Sequence, residues 1–322
     1  MRALVTGISG FVGGHLAEHL VGSGDLVVGI SATGRWPAEL AHLGRLARIE
    51  RFDLIESGEA ELAELLGRKQ PEVIYHLAAQ SNPQQSVSDP RGTWALNLGG
   101  ALNLLEAVKA AGLKPRVILV SSGTCYGSPA PEFIPVGEDC PWRPKDPYAA
   151  SKAAADLLGI QHHLAHGTDV VIVRPFNHAG PRQSPRYVLA ALASQVAEVE
   201  SGRRECVEVG NLEVVRDFTD VRDVVRAYRL LAAHGRAGEV YNLGSGRGTK
   251  IADALEQLRS LARVPVAVRV DPARVRPVDL PMLIADASKL RAATGWEPNF
   301  PIEQTLADML ESCRGAVAGL TS

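Results

Sequence analysis

A tyrosine and a lysine four residues apart carry the clearest chemical potential in this 322-residue chain. Tyr148 and Lys152 occur in the stretch PYAASK. At this spacing two side chains lie on one face of a helix. The lysine ammonium can then stabilise a phenolate and lower the phenol pKa from its usual value of about 10. The pair therefore predicts a group that exchanges a proton with a bound molecule near neutral pH.

Three glycines at positions 7, 10 and 13 follow a short apolar run at the start of the chain. Apolar residues at helical spacing begin directly after them, so the pattern predicts a strand, a tight loop and a helix. Glycines in such a loop allow the turn, the close approach of a pyrophosphate and the packing of helix on strand. The spacing is G-x-x-G-x-x-G, and it predicts a dinucleotide site. The loop residues assigned to this site are Gly7, Ser9, Gly10, Phe11, Val12 and Gly13.

The end of the second predicted strand, residues 26–30, bears on the choice of dinucleotide. An NAD-specific site places an acid there for the ribose 2′-hydroxyl. The residues from Ser31 to Arg35 instead offer hydroxyls and one guanidinium. These groups tolerate or bind a 2′-phosphate. The sequence therefore favours NADP, used as NADPH, and leaves NAD possible.

Composition excludes several classes of protein. The chain is 46% hydrophobic and 22% charged, which is typical of a globular protein. A net charge of −2 gives no electrostatic reason to expect nucleic acid. No apolar run approaches the roughly 18 residues of a membrane span, and the N-terminus does not resemble a signal peptide. We therefore predict a cytoplasmic protein without nucleic-acid or membrane partners.

The cysteines and histidines do not predict a metal site. The four cysteines are scattered and form no C-x-x-C pair, so they are interpreted as reduced thiols. His162, His163 and His166 are close in sequence, but we interpret them as lying on the solvated or subunit-facing side of one helix. No metal is predicted.

Strand-like runs at 73–78, 116–121 and 169–174 alternate with helix-patterned segments near 58–67, 92–111 and 148–166. Continuous β-branched runs separated by helices predict an α/β fold, a Rossmann-like doubly wound parallel sheet. We assign residues 1–175 to an NAD(P)-binding domain, with a returning segment at about 220–243. Residues 176–322, with helices near 186–201 and 302–314, form mainly a smaller α/β substrate-binding lobe.

These motifs, together with HLAA at 76–79, RPFNH at 174–178 and GWEP at 295–298, resemble the extended short-chain dehydrogenase/reductase family. This family contains nucleotide-sugar epimerases, dehydratases and reductases. Residues 176–183 and 209–223 are similar to its GDP-mannose branch, and the second stretch is most like reductases of a GDP-linked 4-keto-6-deoxy sugar. The resemblance implies an enzyme with a nucleotide-sugar substrate. It also implies a homodimer formed through the helices near 92–111 and 148–166.

The resemblance implies specific roles for the reactive residues. Ser122 would hydrogen-bond the C4 oxygen of the sugar, and Tyr148 would be the general acid. Lys152 would hold the nicotinamide ribose and lower the pKa of the tyrosine. Hydride would reach C4 from the nicotinamide while Tyr148 protonates the developing alkoxide.

Other positions are carried over from the family in the same way. Asp53 matches the position that contacts the adenine, and Asn97 a structural or proton-relay position. Asn177 would reach the sugar or diphosphate, and three further residues would clamp the nucleotide, with arginine forks matching phosphate. The remaining cofactor positions are Leu54, Leu77, Ala78 and Ala79; the substrate positions are Ser86, Asn177, Val188, Asn211, Arg216 and Arg276.

Thr124 bears on the choice among related reactions. Dehydratases of this family carry a glutamate at this position, and a threonine hydroxyl is too weakly acidic to replace it. An acid from another segment could substitute, so dehydration stays open. A 4-epimerase would need the same Ser122, Tyr148 and Lys152 but with tightly held NAD. A non-catalytic nucleotide sensor is the third alternative, although it would not need a matched acid and lysine. We predict an NADPH-dependent reductase.

Overall fold

The larger lobe of the computed structural model is built on a seven-stranded sheet; the structure describes residues 1–274 and 282–319. The strands are β1 (Arg2–Thr6), β2 (Leu26–Ser31), β3 (Arg48–Arg51), β4 (Val73–His76), β5 (Arg116–Val120), β6 (Val170–Pro175) and β10 (Val240–Leu243). Their order in space is β10-β6-β5-β4-β1-β2-β3, and all neighbours are parallel. The predicted fold class is confirmed. The chain changes direction across the sheet between β1 and β4, where sheets of this kind bind ligands.

Helices cover both faces of this sheet. The α-helices of both lobes are α1 (Phe11–Gly22), α2 (Gly58–Lys69), α3 (Pro83–Ser88), α4 (Pro90–Trp94), α5 (Gly100–Ala110), α6 (Pro147–His166), α7 (Val188–Glu200), α8 (Val221–His234), α9 (Ile251–Ser260), α10 (Ser288–Thr294) and α11 (Ile302–Gly319), of which α7, α9 and α11 belong to the smaller lobe. Val5 and Tyr75 pack with α1 and α8, whereas their neighbours Leu4 and Ile74 pack with α2 and α5. Because both faces are buried, the strands are continuously apolar.

The smaller lobe contains short strands around one helical cluster. Its strands are β7 (Asn177–Ala179), β8 (Cys206–Val209), β9 (Val215–Asp220), β11 (Gly248–Lys250), β12 (Ala267–Val270) and β13 (Met282–Leu283). β9 pairs with β7, β11 and β13, and β8 pairs with β12. Buried residues of α7, α9 and α11 form the core of this lobe. No helix in the described part of the chain has the length and apolarity needed to cross a membrane.

The histidines of α6 differ from the sequence interpretation. His162 is buried, with 1% of its surface exposed, and only His166 is fully on the surface. The ring of His162 faces α5 and contacts Glu106 there. The reason is that α5 packs against this part of α6, and its Glu106 covers the ring of His162. The four cysteines are free thiols, as predicted.

Candidate active site

The glycine loop joins β1 to α1 at the point where the strand order reverses. Gly7 has a φ of +67°, and a Cβ there would lie 2.9 Å from the backbone of Ala78. A Cβ on Gly13 would lie 2.4 Å from the Gly7 carbonyl oxygen. Helix α1 begins after Gly10 without a side-chain cap, so its first N–H groups point into the loop. The loop therefore fits a pyrophosphate, which would accept from these donors.

The carboxyl ends of β2 and β3 lie at the same edge of the sheet as the glycine loop. Ser31 closes β2, and its Oγ accepts from the Gly34 amide at 3.1 Å. Arg51 lies beside Ser31 in the parallel register, and its Cβ packs against Gly34. Arg35 and Arg51 are both exposed. Two arginines thus lie near Ser31, Arg35 along the chain and Arg51 across the sheet, and only Arg35 was identified from the sequence.

Asp53 and Leu54 follow β3. The Asp53 carboxylate accepts from the amides of Ile55 and Glu56 at 2.8 and 3.2 Å, which holds the turn after the strand. These bonds use Oδ1 and leave the second carboxylate oxygen for another partner. Leu54 is buried against Gly100 of α5. Asp53 therefore lies just after the carboxyl end of β3, and Leu54 packs against α5.

The loop after β4 closes the other side of the crevice. Leu77, Ala78 and Ala79 are half-buried there, and Ala78 donates its amide to Thr6 Oγ1 at 3.1 Å. Asn97 lies behind the loop and is 2% exposed. Its side chain bonds both backbone groups of Gln80 and donates to the Ser151 hydroxyl at 2.9 Å. Asn97 therefore braces this loop against α6, with its hydrogen bonds made inside the protein.

Tyr148, Ser122 and Thr124 form one hydrogen-bonded group. Tyr148 lies in the first turn of α6, which Asp146 caps through the Ala149 amide at 2.8 Å. Thr124 Oγ1 donates to Ser122 Oγ at 2.9 Å, so the Ser122 hydroxyl keeps its own hydrogen for another acceptor. Burial raises the pKa of Tyr148 to about 12, while its hydrogen bond with Ser122 acts in the opposite direction. The phenol is therefore protonated at neutral pH.

Burial, and not Lys152, sets the direction of the shift in the Tyr148 pKa. The Nζ of Lys152 donates to the Val120 carbonyl at 2.7 Å, and the phenol pKa is raised, not lowered. Burial lowers the pKa of Lys152 itself to about 8, against the opposing charge of Asp156. The physical reason is that both groups are buried, and desolvation disfavours phenolate and ammonium alike. Lys152 remains mostly charged at pH 7, with N–H donors to spare.

Asp156 extends the same face of α6 by another turn. Its Oδ2 accepts from Arg174 Nε at 2.7 Å, and the two side chains are 0% and 2% exposed. Arg174 also donates to the Tyr126 hydroxyl at 2.7 Å. Burial raises the pKa of the Asp156 carboxyl, yet a proton there would leave the guanidinium without a counter-ion, so we treat it as ionised. Spacing i,i+4 from Lys152 could have identified this residue.

The structure places the predicted substrate residues in different surroundings. Asn177 and Val188 are exposed, at the starts of β7 and α7. Ser86 is fully buried and donates to the Pro83 carbonyl at 2.6 Å, which places it inside α3. Asn211 caps a turn through the Glu213 amide at 3.0 Å, and Arg216 is half-buried in β9. Arg276 lies outside the described residues.

Tyr187 lies near Tyr148 and was not identified from the sequence. Its hydroxyl lies 2.9 Å from Ser81 Oγ, which joins the start of α7 to the loop after β4. Tyr187 is also close enough to Tyr148 to raise the pKa of that phenol. The two ends of this bond are 106 residues apart, so no local pattern could have found it. It spans the two lobes beside the reactive tyrosine.

We expect Tyr187→Phe and Ser81→Ala each to lower the free energy of unfolding by about 0.5–1 kcal/mol, because the hydroxyl–hydroxyl bond is partly solvated. The double variant should cost no more than either single change, because both remove the same bond. Urea unfolding of the four proteins measures this coupling. Simple addition of the two effects would show that the residues act separately.

Comparison with known proteins identifies the chain's relatives. It is 38% identical over 317 residues to the GDP-6-deoxy-D-mannose reductase of Pseudomonas aeruginosa, covering 98% of each. The structure of RMD from Pseudomonas aeruginosa complexed with NADPH superposes with a TM-score of 0.83 at 34% identity, covering 98% of this chain and all of that one. A UDP-glucose 4-epimerase of Thermotoga maritima, with UDP-glucose, gives a TM-score of 0.88 at 29% identity, again over 98% and 100%.

The fold is shared by reductase and epimerase, so overall shape does not separate the two reactions. Family membership rests on a match that covers most of the sequence. Residues 4–309 match the family described as GDP-mannose 4,6 dehydratase. Together with 38% identity to a reductase over nearly the whole length of both chains, this match shows the family to which the protein belongs. The chain belongs to the GDP-mannose 4,6 dehydratase family, within the nucleotide-sugar epimerases, dehydratases and reductases.

Proposed function

We propose that the protein is an NADPH-dependent reductase that converts GDP-4-keto-6-deoxy-D-mannose to a GDP-D-rhamnose type product. The observation that carries this proposal is that Tyr148 is a protonated acid, while position 124 holds a threonine and not a carboxylate. Tyr148 is held neutral and is hydrogen-bonded to Ser122, and Thr124 donates to Ser122. The 38% identical reductase relative supports the same reaction.

Ketone reduction adds a hydride to carbon and a proton to oxygen. The bound NADPH would supply the hydride to C4. Ser122 and Tyr148 would both donate to the C4 oxygen, and the proton of Tyr148 would move to it as the C–H bond forms. The resulting phenolate would be stabilised by the Lys152 ammonium, which has N–H donors beyond the one that bonds Val120. The phenolate regains a proton from solvent before the next turnover.

Dehydration and epimerisation place other demands on these residues. Dehydration needs an acid and a base at C5 and C6, and Thr124 offers neither. Asp146 is an acid close to Tyr148, but its Oδ1 caps α6. Epimerisation begins by removing a proton from a sugar hydroxyl, and the neutral Tyr148 would first have to lose its own proton to act as that base. The reductase needs only the proton that Tyr148 already carries.

The two exposed arginines beside Ser31 fit a 2′-phosphate. Each guanidinium can donate two parallel hydrogen bonds to phosphate oxygens. We expect the double variant Arg35→Ala/Arg51→Ala to raise the KM for NADPH by about tenfold or more, because a charged hydrogen bond contributes about 1.5–3 kcal/mol. The KM for NADH should stay nearly unchanged, since NADH has no phosphate there. Arg45→Ala removes another exposed arginine, from the segment before β3, and serves as a control for the loss of positive charge.

Several residues of the smaller lobe are proposed to bind the nucleotide sugar. Asn177 begins β7 and Val188 begins α7, and both are exposed. Asn211 precedes β9 and Arg216 lies within it, and together with Arg276 they would clamp the nucleotide. This set is consistent with a GDP-linked substrate.

We also propose that the protein is a homodimer formed through α5 and α6. Leu157 and Leu164 lie seven residues apart on one face of α6 and are 58% and 78% exposed, and Leu102 on α5 is 42% exposed. Exposed leucines on adjacent helices are typical of a buried interface. Light scattering should give twice the chain mass, and Leu157→Lys/Leu164→Lys should give the monomer. Leu46 is 52% exposed and lies outside α5 and α6, so Leu46→Lys should leave the dimer intact.

A cytoplasmic location is part of the same proposal. The cysteines are free thiols, two of them buried, which fits a reducing compartment. Cell fractionation tests this directly, and recovery of the native protein outside the cytoplasm would contradict it.

The decisive assay follows absorbance of reduced nicotinamide with GDP-4-keto-6-deoxy-D-mannose as substrate. Stoichiometric loss of NADPH, with slower loss of NADH and none with GDP-mannose, is the expected result. Conversion of a nucleotide sugar without net loss of NADPH would instead indicate internal recycling and an epimerase or dehydratase. Binding of the sugar without either change would indicate a nucleotide sensor.

A further inference from the structure

Glu106, His162 and His166 form a cluster where α5 packs against the end of α6, away from the proposed catalytic residues. One ligand-type atom from each of them lies within 4.8 Å of the others. The two histidines are spaced i,i+4, which puts them on adjacent turns of one helix face. This is the spacing by which a single helix supplies two imidazoles to zinc. The glutamate comes from the neighbouring helix and faces both rings.

The hydrogen bonds of His162 suit a metal ligand. Its Nε2 faces Glu106 Oε1 at 3.1 Å, and its Nδ1 faces the Thr168 hydroxyl at 2.9 Å. A metal on Nε2 requires a proton on Nδ1, and histidine ligands ordinarily donate that proton to a nearby acceptor. The Thr168 hydroxyl can accept it, and it can also donate when the ring carries its proton on Nε2. The site is therefore compatible with both tautomers.

We propose that Glu106, His162 and His166 bind one Zn²⁺ per chain as a clip between α5 and α6. Two imidazoles and one carboxylate are a common zinc ligand set, and water completes the coordination. The bound ion would take the position of the proton between His162 and Glu106. Only small side-chain shifts are required, because two of the ligand atoms are already 3.1 Å apart.

The surroundings leave the cluster accessible. Lys109 pairs with the other oxygen of Glu106, so Oε1 remains directed at His162. Lys109 is exposed and can move away from an incoming cation. His166 is on the surface and provides the entry side. Leu164, two residues before His166, lies on the opposite face of α6 from the two histidines.

The test is Zn²⁺ titration by calorimetry of the full-length protein after treatment with a chelator. We expect one ion per wild-type chain, a raised Tm with Zn²⁺, and no such effect with Mg²⁺, which prefers oxygen ligands. His166→Ala should weaken binding by about a hundredfold or more, since it removes one of three ligands. Thr168→Val should weaken it by about tenfold, as expected for a group that orients a ligand.

His163→Ala is the matched control. This neighbouring histidine bonds the Thr168 carbonyl and lies outside the cluster, so its loss should leave Zn²⁺ affinity unchanged. His166 is exposed, so His166→Ala should fold and keep wild-type turnover with NADPH. The proposal is overturned if wild type binds no stoichiometric Zn²⁺, or if His163→Ala weakens binding as much as His166→Ala. Because these readouts do not use the substrate, their failure is separate from failure of the proposed function.

Discussion

Replacing Tyr148 with phenylalanine should lower kcat by about 100- to 10,000-fold, the range for loss of a general acid. The phenol is buried and protonated, and it is the donor that would give its proton to the C4 oxygen. Because this transfer occurs in the transition state, the affinity for NADPH should change little. Steady-state turnover and a separate fluorescence titration with NADPH measure the two quantities.

Tyr75→Phe is the matched control for this change. Tyr75 is a buried residue of β4 in the same sheet, and its hydroxyl has no hydrogen-bond partner among the described residues. Removing that hydroxyl makes the same chemical change away from the cleft, so turnover should be unaffected. Turnover in Tyr148→Phe close to that of Tyr75→Phe would exclude Tyr148 as the acid.

Replacing Asp156 with asparagine should lower the free energy of unfolding by about 3–5 kcal/mol, because it leaves the Arg174 guanidinium buried without a counter-ion. A second effect should appear in the pH profile. The Asp156 carboxylate raises the pKa of Lys152, against burial, which lowers it to about 8. Without the carboxylate, Lys152 should lose its proton at lower pH, and the alkaline fall in kcat should move down from about pH 8.

The pH profile distinguishes an effect of Asp156 on the pKa of Lys152 from a loss of stability alone. Glu64→Gln removes a carboxylate from the exposed pair with Arg68 and should change stability by no more than about 0.5 kcal/mol. Its pH profile should match the wild type. If Asp156→Asn loses stability but keeps the wild-type alkaline limb, Asp156 acts only in folding and does not tune Lys152.

The fold could be predicted from the sequence wherever a segment is long and periodic. Strands β1, β2, β4, β5 and β6 and helices α2, α6, α7 and α11 all lie within a few residues of the predicted segments. Burial on both faces requires continuous apolar runs, and these are visible in the sequence. The short strands β7, β11 and β13 have two or three residues each. Such segments are too short for a pattern, and their pairing to β9 depends on contacts distant in sequence.

The candidate site also has features that the sequence predicts and others that only packing determines. The glycine loop, the Tyr148–Lys152 pair and the absence of an acid at Thr124 were readable because each is local: a turn, one helix face and one loop position. The sequence alone determined the fold class and the residue types available for proton transfer. It did not determine the pKa of Tyr148, since desolvation depends on what packs around the ring.

Only the tertiary structure decided which distant residues meet. Register across β2 and β3 brings Arg51 beside Ser31, and lobe packing brings Tyr187 to Ser81. Helix packing buries His162 against Glu106, whereas the histidine-rich stretch by itself suggested a solvated or subunit-facing side of the helix. These contacts join residues 20 or more positions apart, through packing that no local period records. Distance in space, burial and charge are properties of the assembled chain, and the chemistry of this protein depends on all three.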